Sequence, residues 1–510
     1  MGNVVGSATI VAVIFRAATD AATTPRARRV ALAGSWQTVV PIGAAVAVFW
    51  LAYDGGAYSL QSWTKAAIVT WWAVLIGVVA GLLPRARIGR SALACLGLIL
   101  AFSVWSGLSA IWADSAEAAV TALARGLLYC GVLTLVLFLC TRSVAVRSSD
   151  LIALGLVSVG VLALLSRCFP TIFPTDRVLV LLPDAHTRLN YPVAYWNGLA
   201  ILVGLATPLL LRTAVWGRSP IARAAALAPF PAIAAVMYLS SSRSGSVTAA
   251  VGAIAFVALC GRRWQAAGAV ALAAVGSIVA VAVLDRLHTL VDGPLDGSAA
   301  HSEGRTAALA LIVLALATAA CWRIVLPRLD RLEVSRTTGR IVVGLLVLAL
   351  VAGVAASGPV GRWHTFTQPP DSIPAANDQN EIQSHLFSVS GNWRWQYWES
   401  AFDEWQTRPL VGRGAGSFTP WWSEHGDEIG FIGNAHSLYA QTLAELGLIG
   451  FGLIAGGFVL GLVVAIRRAL GMRGSLGDTA AAVTAGFAAY AVAAGIDWMW
   501  ELPAVSVVGF

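Results

Sequence analysis

Three polar clusters interrupt a chain that is otherwise strongly apolar. The first is Ser240-Ser241-Ser242-Arg243-Ser244-Gly245, set between two apolar stretches. The second is Gly391-Asn392-Trp393-Arg394-Trp395, followed by Pro409-Leu410-Val411-Gly412-Arg413-Gly414-Ala415-Gly416. The third is Asn434-Ala435-His436-Ser437-Leu438-Tyr439, running through Gln441 into Glu445-Leu446-Gly447-Leu448-Ile449-Gly450. A guanidinium at a bilayer boundary is costly, so Arg243 marks a functional site by default. The bland alternative is an arginine that snorkels or sets topology, which its flanking serines disfavour. Taken singly, Arg394 reads as a solvated loop arginine and His436 as an interfacial capping residue. Their order and context make them a set, with His436 the side chain suited to proton transfer near neutral pH.

The elements that position these clusters follow from composition. Hydrophobic residues make up 58% of the chain and charged residues 12%, too little charge to cover a water-soluble surface. Apolar stretches of membrane length recur at 36–56, 63–83, 91–112, 119–140, 150–166, 191–211, 222–241, 244–260, 265–284, 305–326, 341–357, 437–466 and 478–496, about thirteen in all. Helices satisfy their own backbone in lipid, and these runs lack the alternation a barrel requires. The expected fold is therefore all-α, a polytopic membrane bundle of about 12–14 spans. Residues 1–35 read as a cytoplasmic leader or interfacial segment, 36–357 as an N-terminal transmembrane bundle, 358–436 as an extracytoplasmic loop and 437–510 as a C-terminal transmembrane part. The apolar run after Pro503 is too short to span; it is either cut short or lies along the interface.

Arginines set the orientation. Arg85, Arg87 and Arg90, then Arg142 and Arg147, Arg212, Arg218 and Arg223, Arg262 and Arg263, Arg328, Arg331, Arg336 and Arg340, and Arg467, Arg468 and Arg473 occupy alternate loops, which are assigned to the cytoplasm. The other loops face outside and hold all seven histidines, which places any proton chemistry there. The net charge of +8 is explained by this bias, with no basic face for nucleic acid. The 358–436 loop is rich in tryptophan and acids; its first part reads as irregular. Its stretch from Trp393 to Trp405 reads as an amphipathic helix on the membrane surface, its aromatics serving as interfacial anchors, as stacking surfaces for sugar rings, or both. The six cysteines show neither pairing nor metal spacing. Gly412, Gly414 and Gly416 read as turn residues, because no strand precedes them as a nucleotide loop requires.

The clusters resemble the O-antigen ligase/polymerase superfamily. Its pattern is matched by Ser242-Arg243-Ser244-Gly245, by Arg394 with Pro409-Leu410-Val411-Gly412-Arg413-Gly414, and by His436 with Glu445-Leu446-Gly447-Leu448-Ile449-Gly450. Arg188-Leu189-Asn190-Tyr191-Pro192, Tyr195-Trp196-Asn197-Gly198 and the tail Asp497-Trp498-Met499-Trp500-Glu501-Leu502-Pro503 extend the likeness over about 188–503. Ser437 stands where the family has asparagine, with Asn434 two residues before the histidine. The resemblance implies a GT-C-like membrane glycosyltransferase in the cytoplasmic (inner) membrane. Such an enzyme moves a glycan from a polyprenyl diphosphate carrier to a glycan or lipid acceptor on the outer face. On that reading Arg243 and Arg394 bind the diphosphate, for which a planar guanidinium fork is suited, and His436 serves the acceptor hydroxyl, either as general base or by orienting it. Arg413, Asn197, Asn434 and Glu445 are second-tier candidates. One displacement would invert the anomeric centre. No Asp-x-Asp is present, so neither metal nor cofactor is expected. The competing reading is a polytopic transporter of a lipid-linked glycan or small solute, against which stands the lack of an internal repeat.

Overall fold

A computed structural model of the chain describes residues 25–81, 83, 88–173, 187–293, 295, 297–332, 335, 337, 338, 348, 352, 353, 355–369, 386–426 and 432–509, with side chains from Trp36 onward. Every regular element among the described residues is a helix. In chain order they are α1 (Pro25–Tyr53), α2 (Leu60–Val79), α3 (Arg90–Leu108), α4 (Ala116–Leu139), α5 (Arg142–Cys168), α6 (Trp196–Gly204), α7 (Ala206–Trp216), α8 (Pro220–Ala225), α9 (Phe230–Leu239), α10 (Arg243–Leu259), α11 (Arg263–Leu284), α12 (His288–Asp292) and α13 (Ser298–Leu329). After them come α14 (Pro359–Thr367), α15 (Arg394–Thr407), α16 (Phe418–His425), α17 (Leu438–Gly471), α18 (Gly474–Ile496) and α19 (Pro503–Gly509).

Eleven helical stretches among the described residues are long and apolar enough to cross a membrane. They match eleven of the apolar stretches read from sequence. A twelfth, α10, is 17 residues long, and of 341–357 only 348, 352, 353 and 355–357 are described. The first helix begins at Pro25, while its stretch apolar enough to cross a membrane is Trp36–Tyr53. The α6–α7 span is central, with 94% of its apolar window buried, whereas α2 is peripheral at 11%. Two features depart from expectation. The 358–436 segment contains α14 and α16 besides the expected helix α15. The tail does not lie along an interface: Leu502, Ala504 and Val505 are fully buried in the bundle, and Ser506 bonds Tyr490 at 2.9 Å. Burying this apolar run removes its surface from water or headgroups.

Two close approaches position the site. A Cβ on Gly245 would stand 2.4 Å from that of Ala200, so only glycine lets α10 lie this tightly against α6. Farther along, α17 breaks at Gly447, whose φ is 64°. The turn from Pro409 to Gly416 docks onto this break. Leu448 N–H donates to Pro409 O at 2.9 Å, Ile449 N–H to Leu410 O at 3.2 Å, and Gly414 N–H to Glu445 O at 2.7 Å. The Trp105 indole N–H donates to Leu446 O at 3.1 Å. The backbone groups freed by the break are thus satisfied, and the two glycine motifs form one joint. A Cβ at Gly447 would sit 2.4 Å from the Leu410 carbonyl carbon. Gly447→Ala is therefore expected to cost at least ~1–3 kcal/mol from the left-handed backbone alone, plus the clash, seen as a lower melting temperature of the purified protein.

Candidate active site

The chain's alternating course brings four helix N-termini to one pole. Tyr195 precedes α6, Ser242 caps α10, Trp393 precedes α15 and Ser437 caps α17. Each start follows or contains a non-glycine residue with positive φ: Ala194, Ser241, Asn392 with Trp393, and His436. With Ala57, beside Tyr58, these are all the non-glycine residues of that kind among the described residues. Backbone strain confined to one locality is a pointer to function. The four helix ends also aim partial positive charge at one space.

That space is a cavity of about 1090 Å³. Arg188, Arg243, Arg394 and His436 all line it, so the three residues singled out from sequence meet in one place, and Arg188 joins them. Arg243 Nη1 donates to the carbonyls of Ser388 at 2.8 Å and Ser390 at 2.6 Å. Arg394 donates from Nε to Ile496 O at 3.0 Å and from Nη2 to Asp497 Oδ2 at 3.2 Å. Arg188 lies with its guanidinium 5.3 Å from the centre of the Trp196 ring. Arg188 and Arg394 stand close enough for their charges to act on Arg243.

Asp497 is the hub behind the arginines. It is fully buried and accepts from Tyr195 at 2.8 Å, from Asn197 Nδ2 at 2.9 Å, from Trp498 N–H at 2.9 Å and from Arg394. Asn197 Oδ1 in turn accepts from Ser242 Oγ at 2.8 Å, and Ser242 caps Gly245 N–H at 3.1 Å. One chain of bonds thereby ties the helix starts that carry Arg243 and Arg394. Burial first, then the Asp497 charge, holds the Tyr195 phenol well above its usual range, so it remains a donor to that carboxylate.

His436 is held by Asn434. Its backbone N–H donates to Asn434 Oδ1 at 3.3 Å, and its Nδ1 lies 3.3 Å from Asn434 O. That contact favours hydrogen on Nδ1 and leaves Nε2 as the acceptor. The ring stacks on Tyr397, with centroids 5.3 Å apart. Burial lowers its pKa to about 4, with Arg394 adding to the effect and Asp497 opposing it. Ser437, at the family's asparagine position, serves instead as the N-cap of α17, accepting from Ala440 N–H at 3.3 Å.

Two second-tier candidates sit elsewhere. Arg413 packs over Trp421, 5.2 Å from its ring centre, and faces Asp114 at 3.9 Å. Glu445 accepts from Gln441 at 3.1 Å beside the α17 break. Neither lines the cavity. Gly412, Gly414 and Gly416 have φ of 69°, 111° and 83°, as turn residues require. The α15 helix is amphipathic, with Tyr397, Ala401 and Glu404 buried. Burial pushes the Glu404 carboxyl up to about 7. Trp398 faces the cavity, and Phe402 is exposed. Of the seven histidines, His186 and His385 lie outside the described residues.

Sequence reasoning passed over Arg188 and Asp497 as site residues. Both stand in stretches noted for their resemblance, and an acid directly after an apolar span is the signal that marks Asp497. Among the described residues no group of three or more His, Cys, Asp or Glu side chains could hold a metal ion.

Residues 297–455 match the family model described as O-antigen ligase. The matched stretch contains Arg394 and His436, while Asn197, Arg243 and Asp497 join the site from outside it. No curated protein matches the chain. The match gives this multi-pass membrane chain a stretch, 297–455, that is similar to the O-antigen ligase family, carried on a helical frame of membrane-length spans.

Proposed function

We propose that the protein transfers a glycan from a polyprenyl diphosphate carrier to an acceptor hydroxyl in this cavity. The observation that carries the reading is the meeting of three arginines and four helix N-termini around one histidine. A diphosphate leaving group gathers negative charge as the glycosidic bond breaks. Guanidinium forks and helix N-termini offset that charge in a partly desolvated space, the largest catalytic contribution expected here. Arg243 and Arg394 hold the diphosphate, with Arg188 at its edge. His436, neutral and with Nε2 open, takes the acceptor proton as the hydroxyl attacks the anomeric carbon. Attack from the face opposite the diphosphate inverts that centre.

The arginine-rich loops lie at the opposite end of the bundle from the cavity. By the positive-inside bias this end faces the cytoplasm of the inner membrane and the cavity faces outside. The reaction needs no metal, because the arginines supply the positive charge that a cation otherwise brings to a diphosphate.

The test is incubation of the purified protein with a defined polyprenyl-diphosphate glycan and candidate acceptors, with and without a chelator. New glycan linked to acceptor, undiminished by chelation and inverted at the new linkage, is the expected result. Chain growth marks polymerisation, and a single transfer marks ligation. No product with any donor–acceptor pair, while the carrier stays bound, would overturn the reading.

Asp497 acts through Arg394 as a positioning residue. Asp497→Asn is expected to lower kcat about 10- to 100-fold, the rate equivalent of the roughly 1.5–3 kcal/mol that a hydrogen bond to a charged group contributes. KM for the donor should change less than kcat. A purely structural role would instead lower the folded fraction and leave the kcat of folded protein intact.

A further inference from the structure

The pole opposite the cavity carries a second, separate depression of about 490 Å³. It lies where α10 ends and α11 begins, against the end of α17 and the start of α18. Arg263 and Arg473 stand on its wall, with Leu470 and Met472 beside them. Asp478 also lines it, but its carboxylate is engaged. Its Oδ1 accepts from Gly261 N–H at 2.7 Å, and its Oδ2 accepts from the Trp216 indole at 2.5 Å and from the Cys260 thiol at 3.1 Å.

Neighbouring carboxylates are engaged too. Asp150 pairs with Arg212 at 2.8 Å, and Asp330 lies 3.6 Å from Arg262. These pairs leave Arg263 and Arg473 without a hydrogen bond or ion pair among the described residues. Their backbone setting compounds the imbalance. Arg263 is the first residue of α11 and Arg473 the N-cap of α18. Neither helix has a side-chain cap or an acid in its first turn. Two exposed guanidiniums and two helix starts without a side-chain cap thus border one depression beside Asp478, which is bonded only by neutral donors, an arrangement that favours an anion at its rim. Topology alone accounts for arginines in these loops. It does not account for their facing a shared depression beside a filled carboxylate.

We propose that this depression binds a phosphate group, carried by an anionic phospholipid of the leaflet at that end. Two arginine forks suit phosphate oxygens. Basic depressions between membrane helices at this level suit lipid headgroups. Leu470, 59% exposed at the rim, continues the site as an apolar surface for an acyl chain. The inference is independent of the transfer reaction, since no residue of it touches the large cavity.

The test uses the full chain in phosphatidylcholine nanodiscs with and without phosphatidylglycerol, read by native mass spectrometry for retained lipid. The wild type should retain phosphatidylglycerol in preference to phosphatidylcholine, and R263Q/R473Q should lose that preference. Equal melting temperatures in phosphatidylcholine alone check that the double variant is folded. Inorganic phosphate is the second arm. If phosphate alone raises the wild-type melting temperature, but not that of the double variant, and phosphatidylglycerol is not preferred, the site stands and its source is free phosphate. Absence of both effects in the wild type, or their persistence in a folded double variant, overturns the proposal. Should the double variant not fold, the decision rests on the wild type, where phosphatidylglycerol preference weakened by added inorganic phosphate supports the site and a preference unaffected by it overturns it.

Discussion

Arg394→Lys is expected to leave the protein folded and lower kcat by about 10²–10³-fold, the range seen when one preorganised donor to developing charge is removed. The guanidinium makes two bonds behind the cavity, to Ile496 O and Asp497, and still lines the cavity. An ammonium keeps the charge but lacks the fork that spans a carboxylate and a phosphate together. Alanine is a less clean probe, because it strands the fully buried Asp497. Breaking a buried pair from one side costs about 3–5 kcal/mol. The pair of variants separates the roles. If Arg394 only neutralises Asp497, then Arg394→Ala/Asp497→Ala recovers both stability and turnover. If Arg394 acts on the diphosphate, the double variant recovers stability and remains slow. Recovery of turnover would remove Arg394 from the chemistry.

His436→Ala is expected to reduce kcat by about 10²–10⁴-fold, the usual contribution of a positioned general base, with little change in donor binding. The pH profile gives a finer check. In the free protein the imidazole has a pKa of about 4, lowered by burial and by Arg394. It is therefore neutral and able to accept a proton through the whole neutral range. It loses that ability only as pH falls toward about 4. The acid limb of kcat/KM, which reports the free enzyme, should lie well below the roughly 6.5 of an ordinary histidine. A bound diphosphate adds negative charge nearby and stabilises the imidazolium. The acid limb of kcat should accordingly lie at higher pH than that of kcat/KM. Full activity in His436→Ala, or a profile unchanged by it, would remove the base from the mechanism.

The bilayer made much of the fold legible. A span must be apolar over membrane length whatever it packs against, so α2, α4, α11 and α18 announce themselves by composition. The segment between the spans is different. The helices α14 and α16 are nine and eight residues long, too short for a periodic pattern to stand out from a loop. The tail misled for a related reason: α19 is apolar but seven residues long, and whether such a run meets lipid or protein depends on what lies beside it.

The same division holds at the site. Arg243, Arg394 and His436 were readable one by one, because polar residues against an apolar background are conspicuous and charge at a membrane boundary is costly. Alternation of the spans even placed them at one pole. Composition and order therefore determined the class of the protein and brought forward three residues that lie at one end of the bundle. Only the tertiary structure decided which residues meet. It joined Asp497 to Arg394 across 103 positions of sequence and to Asn197 across 300, brought Arg188 to the cavity wall, and set Arg413 and Glu445 apart at the α17 break. The physical reason is that a span's apolarity is a local property of the chain. The pairing of a buried carboxylate is a relation between helices, fixed by contacts as close as that of Gly245 with Ala200.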